Sequence, residues 1–129
     1  MEIILAENHG FCYGVKRAVE MANEAAEGKG KSYTLGPIIH NPQVVGRLES
    51  KGVSPIQEVA DIDEGTMIIR SHGVGPAIYA EAEEKGLHIL DATCPHVKKA
   101  QQDAKSVIED GMTLVILGEK NHPEVKSIN

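Results

Sequence analysis

The chain matches itself. Cys12-Tyr13-Gly14-Val15-Lys16-Arg17-Ala18 aligns without a gap on Cys94-Pro95-His96-Val97-Lys98-Lys99-Ala100, at an offset of 82 residues. In the same register Ala22 meets Ala104, Leu35 meets Leu117, Gly36 meets Gly118 and His40 meets His122. Matching Lys and Ala are common between helices, but packing gives Cys and His no reason to recur together at one spacing. Self-similarity at a fixed period constrains the fold before any single element does, because each copy must be the same supersecondary unit. Both copies place a His 28 residues after a Cys. The second copy starts near Leu87, so the sequence holds about one and a half units: 1–86, and the start of another over 87–129.

Within the units, strand and helix patterns alternate. EIILA, SYTL, TMIIRS, LHILDA and MTLVILG read as short buried strands. GVKRAVEMANEAAEGKG carries Val15, Ala18, Val19 and Ala22 at helical spacing and stops at Gly28 and Gly30. NPQVVGRLESKG and PAIYAEAEEKG read as helices with Pro42 and Pro76 in their first turns, and HVKKAQQDAKSVIEDG as a further helix. This alternation predicts an α/β fold of repeated strand–helix units with a largely parallel sheet. The chain has no Trp and one Phe, so its core must come from Val, Ile, Leu and Ala. Such a core suits strands covered by helices on both faces.

A formal net charge of -6 argues against a nucleic-acid partner, which usually demands a basic face. No apolar run approaches the roughly 18 residues of a membrane span. The opening MEIILAEN lacks a basic stretch and a small-residue cleavage site, so no secretory signal is expected. Two cysteines do not make a disulfide framework. The expected setting is cytoplasmic, with both thiols reduced.

Cys12 and Cys94 each precede a helix, where free N–H groups and the helix dipole stabilise negative charge. His40, His72 and His122 each follow a strand pattern, and in α/β sheets ligands bind at the carboxyl ends of strands. Five of the Cys and His residues thus point to one rim; His9, His88 and His96 have no repeat partner and read as surface or packing residues. Taken singly, a Cys in such a fold is usually a small buried hydrophobe and a His a turn residue, which leaves a purely structural reading open. Thiolates together with imidazoles suit zinc or an iron–sulfur cluster. Cys12, His40, Cys94 and His122 would satisfy tetrahedral zinc in number, although a helix and a strand separate each Cys from its His. Spacing alone leaves the metal undecided.

Five blocks carry a family resemblance: HGFCYGVKRAVE, TLGPIIHNPQVV, RSHGVGP, DATCPHVKKA and GEKNHPEV. In this order they resemble the signature segments of the 4-hydroxy-3-methylbut-2-enyl diphosphate reductases. That family builds three related α/β units around a central 4Fe-4S cluster, each unit giving one Cys. The resemblance implies that Cys12 and Cys94 are two of the cluster's three thiolate ligands. It further implies that His40, His72 and His122 contact the substrate, chiefly its diphosphate, and that Glu124 delivers protons toward the substrate hydroxyl. The implied reaction is reductive removal of that hydroxyl to give isopentenyl and dimethylallyl diphosphate, the last step of the methylerythritol phosphate isoprenoid route. Electrons would come from reduced ferredoxin or flavodoxin. The family's third Cys and the remaining diphosphate-site residues fall outside these 129 residues. The expectation is therefore a fragment of a longer reading frame, inactive alone and poorly folded over its last stretch, where apolar strand edges lack partners.

Overall fold

The computed structural model describes residues 1–128. Its centre is β3 (Thr66–Ile69), four apolar or β-branched residues whose Met67, Ile68 and Ile69 are wholly buried. Side chains alternate across a strand, so Ile68 faces one layer while Met67 and Ile69 face the other. A strand with no polar face is stable only between two covering layers.

The chain builds those layers in order. Helix α1 (Tyr13–Glu27) precedes β1 (Ser32–Leu35), which is followed by α2 (Pro42–Ser50), β2 (Val53–Ile56), a 3₁₀ turn (Val59–Asp61) and β3. Helix α3 (Pro76–Glu84), β4 (His88–Asp91), α4 (Pro95–Glu109) and α5 (Pro123–Ile128) complete it. The strands form one parallel sheet in the order β2-β1-β3-β4. On one face Ala18 and Ala22 of α1 and Val44 and Leu48 of α2 pack against Val53, Ile68 and Ala92. On the other, Val59, Ile62 and Ala82 pack against Leu35, Met67 and Ile69. Each fully buried Ile or Met contributes about 1.5–3 kcal/mol of transfer free energy. Lys85 fastens the second layer, its ammonium donating to the carbonyls of Val59 (3.1 Å), Ala60 (3.2 Å) and Ile62 (2.7 Å).

The α/β architecture and parallel sheet agree with the sequence reading, and Pro42 and Pro76 do open α2 and α3. Three expected strands form as β1, β3 and β4. Two do not. EIILA has no strand pairing, and Ile3, Ile4 and Leu5 are exposed; MTLVILG likewise pairs with nothing, and Leu117 is 95% exposed. An apolar run becomes a strand only when a neighbouring strand takes up its N–H and C=O groups, and no described strand pairs with either segment. The structure adds β2, VSPI, which is not among the strands expected from the sequence. Pro55 is tolerated there because β2 is an edge strand. Beyond residue 87, β4 hydrogen-bonds to β3 and continues the same sheet. No described helix is long and apolar enough to cross a membrane.

Candidate functional site

The strand order reverses at β1 and β3, since the connection from β1 leads outward to β2 and the chain then returns across β1 to β3. Crevices beyond the carboxyl ends of strands at such a switch point are where α/β sheets bind ligands. The loop after β1 carries His40, the loop after β3 carries Ser71 and His72, and the loop after β4 carries Cys94.

Local bonds fix each loop. Asn41 caps α2, its side-chain oxygen accepting from the N–H of Val44 at 3.1 Å, which sets the backbone directly after His40. The turn Arg70–Gly73 closes with the Gly73 N–H donating to the Arg70 carbonyl at 3.0 Å, and Gly73 takes φ +73°, a conformation a side chain would strain. The β3–β4 ladder runs on past the strands: Ala92 N–H donates to Ile69 O (3.0 Å) and Cys94 N–H to Ser71 O (2.9 Å). Cys94 is thereby held beside the His72 loop.

Asp91 holds the same loop from below. Its carboxylate accepts from Thr93 N–H (2.9 Å), Tyr79 hydroxyl (2.9 Å) and the Lys98 ammonium (2.7 Å). Burial pushes this carboxyl up, but those hydrogen bonds outweigh burial and leave it below the usual carboxylate range. Tyr79 moves the opposite way, raised to about 12 by burial and then by its anionic partner.

Cys12 reaches the site from α1 rather than from a strand. Both cysteines stand at helix N-caps, with Lys16 N–H donating to Cys12 O (2.9 Å) and Lys98 N–H to Cys94 O (3.0 Å). Arg17 of α1 donates to the Thr93 carbonyl at 3.3 Å. Gly14 is buried against Cys94 so closely that a Cβ there would collide with the Cys94 sulfur and lie 3.0 Å from its Cβ. Only glycine lets the two cysteine-bearing helices abut here.

The result is a cleft of about 350 Å³ lined by Cys12, Ser71, His72, Cys94, His96 and Glu124 among others. Four residues singled out from the sequence (Cys12, His72, Cys94 and Glu124) share this one space. His40 and His122 do not line it but pack on His72, with ring centroids at 4.7 Å and 6.2 Å. The Glu124 N–H donates to His122 Nδ1 at 3.3 Å, which leaves Nε2 to carry the proton of the neutral ring. His72 is buried, its Nδ1 has no hydrogen-bond partner among the described residues, and its pKa is lowered to about 4 by burial first and then by His40, Arg70 and His122. It is neutral at pH 7.

His96, Ser71 and Arg70 are the neighbours that sequence reasoning missed. His96 has no repeat partner, since Gly14 occupies its place in the first copy, so the signal that found the others passed over it. The tetrahedral zinc reading finds no support. Among the described residues no three His, Cys, Asp or Glu side chains converge to hold a metal ion, and His40 and His122 are engaged with His72 instead.

The chain matches the LytB protein family over residues 3–129. It is 54% identical over 128 residues to the 4-hydroxy-3-methylbut-2-enyl diphosphate reductase of Geotalea uraniireducens strain Rf4, covering 99% of this chain and 45% of that protein. The same-named protein of Geobacter sulfurreducens is 55% identical over 128 residues, with the same coverage. A solved (E)-4-hydroxy-3-methyl-but-2-enyl diphosphate reductase, described as the terminal enzyme of the non-mevalonate pathway, superposes with a TM-score of 0.86. It is 50% identical and covers 98% of this chain and 45% of that one. The Plasmodium falciparum reductase gives a TM-score of 0.90 at 34% identity, covering 95% and 39%. The chain thus spans a little under half the length of the relatives it matches, and across that span it belongs to the LytB protein family.

Proposed function

We propose that this chain is part of a 4-hydroxy-3-methylbut-2-enyl diphosphate reductase, with Cys12 and Cys94 as two thiolate ligands of a 4Fe-4S cluster. The observation that carries the reading is the shared cleft, where two free cysteines meet beside His72 and Glu124. The donor set fits such a group: thiolates are the ligands iron–sulfur clusters take, and Gly14 keeps a side chain out of the space against Cys94. The chain has two cysteines, so a third thiolate would come from outside these residues. When bound, the cluster supplies electrons and an open iron that acts as a Lewis acid on the substrate hydroxyl.

The chain's own residues supply the rest. His40, His72 and His122 bind the diphosphate. A neutral His72 and the Nε2–H of His122 offer hydrogen bonds without a strongly basic surface, which suits a chain of net charge -6. Glu124, at the cleft wall in the first turn of α5, holds the proton delivered to the leaving hydroxyl. Two electrons and two protons convert the substrate to water and isopentenyl or dimethylallyl diphosphate. Reduced ferredoxin or flavodoxin is the electron donor in this reading, and the cytoplasm its setting. Residues 1–86 and 87–129 then belong to two units related by duplication, as the paired Cys-capped helices suggest.

Anaerobic reconstitution with ferrous iron and sulfide tests the reading, with a small thiol present to fill remaining coordination sites. A brown protein containing iron and sulfide is expected, and either Cys12→Ser or Cys94→Ser removes the colour. A colourless protein that keeps its fold and takes up stoichiometric zinc would sink the proposal.

A further inference from the structure

A second cavity, of about 370 Å³, lies at the same switch point but shares none of the cleft's residues. Gly36, Gln57, Arg70, Gly73, Gly75 and Lys126 contribute to its walls, and among the described residues no Asp or Glu does. In a chain with 19 acidic and 13 basic side chains, an acid-free cavity holding two cations is a selective arrangement.

Arg70 is its centre. The guanidinium is half-buried, and its Nε is shut off from solvent with no hydrogen-bond partner among the described residues. Among the described residues neither Arg70 nor Lys126 forms an ion pair, although six other pairs form. Burial alone pushes the Arg70 pKa below its ordinary value, so nothing nearby offsets the desolvation. An arginine stays charged regardless, and an unpaired desolvated charge is costly unless something completes it. Its Nη1 lies over Gly36, 2.8 Å from where a Cβ would stand, so only glycine leaves the fork room at that position.

A different element adds to this. Helix α3 has nine residues and begins at Gly75, which has no side chain to cap it, and Gly75 lines the cavity. Pro76 has no N–H and the Ile78 N–H donates to the Gly75 carbonyl at 3.2 Å, so the helix start contributes chiefly its dipole, which favours an anion there. A planar guanidinium fork, a lysine and the positive end of a helix dipole together match the several oxygens of a phosphoryl group better than a single carboxylate.

We propose that this cavity is an anion site distinct from the cysteine–histidine cleft, in which Arg70, Lys126 and the α3 N-terminus take a phosphate-class anion. It stands independently of the reductase reading, since neither cysteine nor any of the three histidines lines it.

Calorimetric titration of the chain with inorganic pyrophosphate in phosphate-free buffer tests it. A binding event is expected that Arg70→Gln weakens about tenfold or more and Lys126→Gln about threefold, in line with loss of charge-assisted hydrogen bonds. Arg70→Lys recovers part of it, and a His40→Ala/His122→Ala double variant, which removes any event at the histidines, retains the event that Arg70→Gln weakens. Because Arg70 has no partner to strand, Arg70→Gln should melt no lower than the parent chain. The site is overturned if the parent chain does not bind, if Arg70→Gln binds pyrophosphate as the parent does, or if its loss of binding comes with a lowered melting temperature. Anaerobic iron and sulfide uptake by Arg70→Gln, unchanged from the parent, would show that the two sites fail or stand separately.

Discussion

Helices α1 and α4 are the same element written twice, and the chain treats them differently. Both span fifteen residues, both start at a cysteine and both carry the shared Val-Lys-x-Ala pattern. Helix α1 lies against the sheet with Gly14, Ala18 and Ala22 buried; α4 buries Ala104, and its Ala100, the counterpart of Ala18, is exposed. After α1 the chain forms β1, seated between β2 and β3. The matching stretch after α4 forms no strand, and Leu117 stands in solvent where its counterpart Leu35 is buried. Equal local sequence gives equal helices but not equal strands. A helix satisfies its backbone within itself, whereas a strand depends on residues far away in sequence.

The largest expected contrast is in hydrogen exchange. Amides of Tyr33, Thr34 and Leu35 should exchange at least about a thousandfold more slowly than those of Val115, Ile116 and Leu117, since one set lies in a central ladder and the other in none. Comparable protection would erase the comparison. A second test asks whether the later segment docks on the earlier one. His72 should titrate near pH 4 in the folded chain, below its ordinary 6.5. A buried neutral histidine binds fewer protons than the unfolded one between those values. Its contribution is therefore complete above about pH 6.5 and drains away as pH falls toward 4. Proton NMR should show the His72 titration moving back toward 6.5 in His122→Ala, and no movement would mean that His122 does not pack on it.

Smaller effects separate the two helices. Ala18→Leu, at a wholly buried position, should cost about 1–3 kcal/mol by overpacking, while Ala100→Leu should stay within about 0.5 kcal/mol. Urea unfolding measures both. Least of all, Lys98→Met should cost about 1 kcal/mol, because Lys98 meets the part-buried Asp91 at 2.7 Å. Its counterpart Lys16 meets Glu20 at 3.9 Å in open solvent, and Lys16→Met should cost less than about 0.5 kcal/mol.

These contrasts mark what was legible in the sequence. Helix starts were, because Pro42, Pro76 and the small residues on one face of α1 encode them locally. The nearness of Cys12, Cys94 and His72 was legible in part: the repeat paired the cysteines and the strand-end rule put His72 on their rim. Glu124 came only from the family resemblance, and His40 and His122, expected on that rim, pack on His72 outside the cleft. Strand formation at EIILA and MTLVILG was misjudged, since hydrophobicity announces a wish for burial and not the partner that grants it. Arg70 escaped for a different reason: its meaning lies in neighbours such as Gly36 and Lys126, brought close only by the fold, while His96 escaped because the first copy has Gly14 in its place.

The strand order also bears on how the chain is made. During synthesis β1 leaves the ribosome well before β3, the inner neighbour it must pair with. At about 5–20 residues per second, roughly 30 intervening residues take a few seconds to appear. For that interval α2 and β2 can shield one edge of β1, and the other stays open. Pro55 breaks the ladder along β2, which discourages a second nascent chain from adding there while β3 is still awaited. Codon choice or pausing between Ile56 and Thr66 should therefore alter soluble yield more than the same change placed after Asp91.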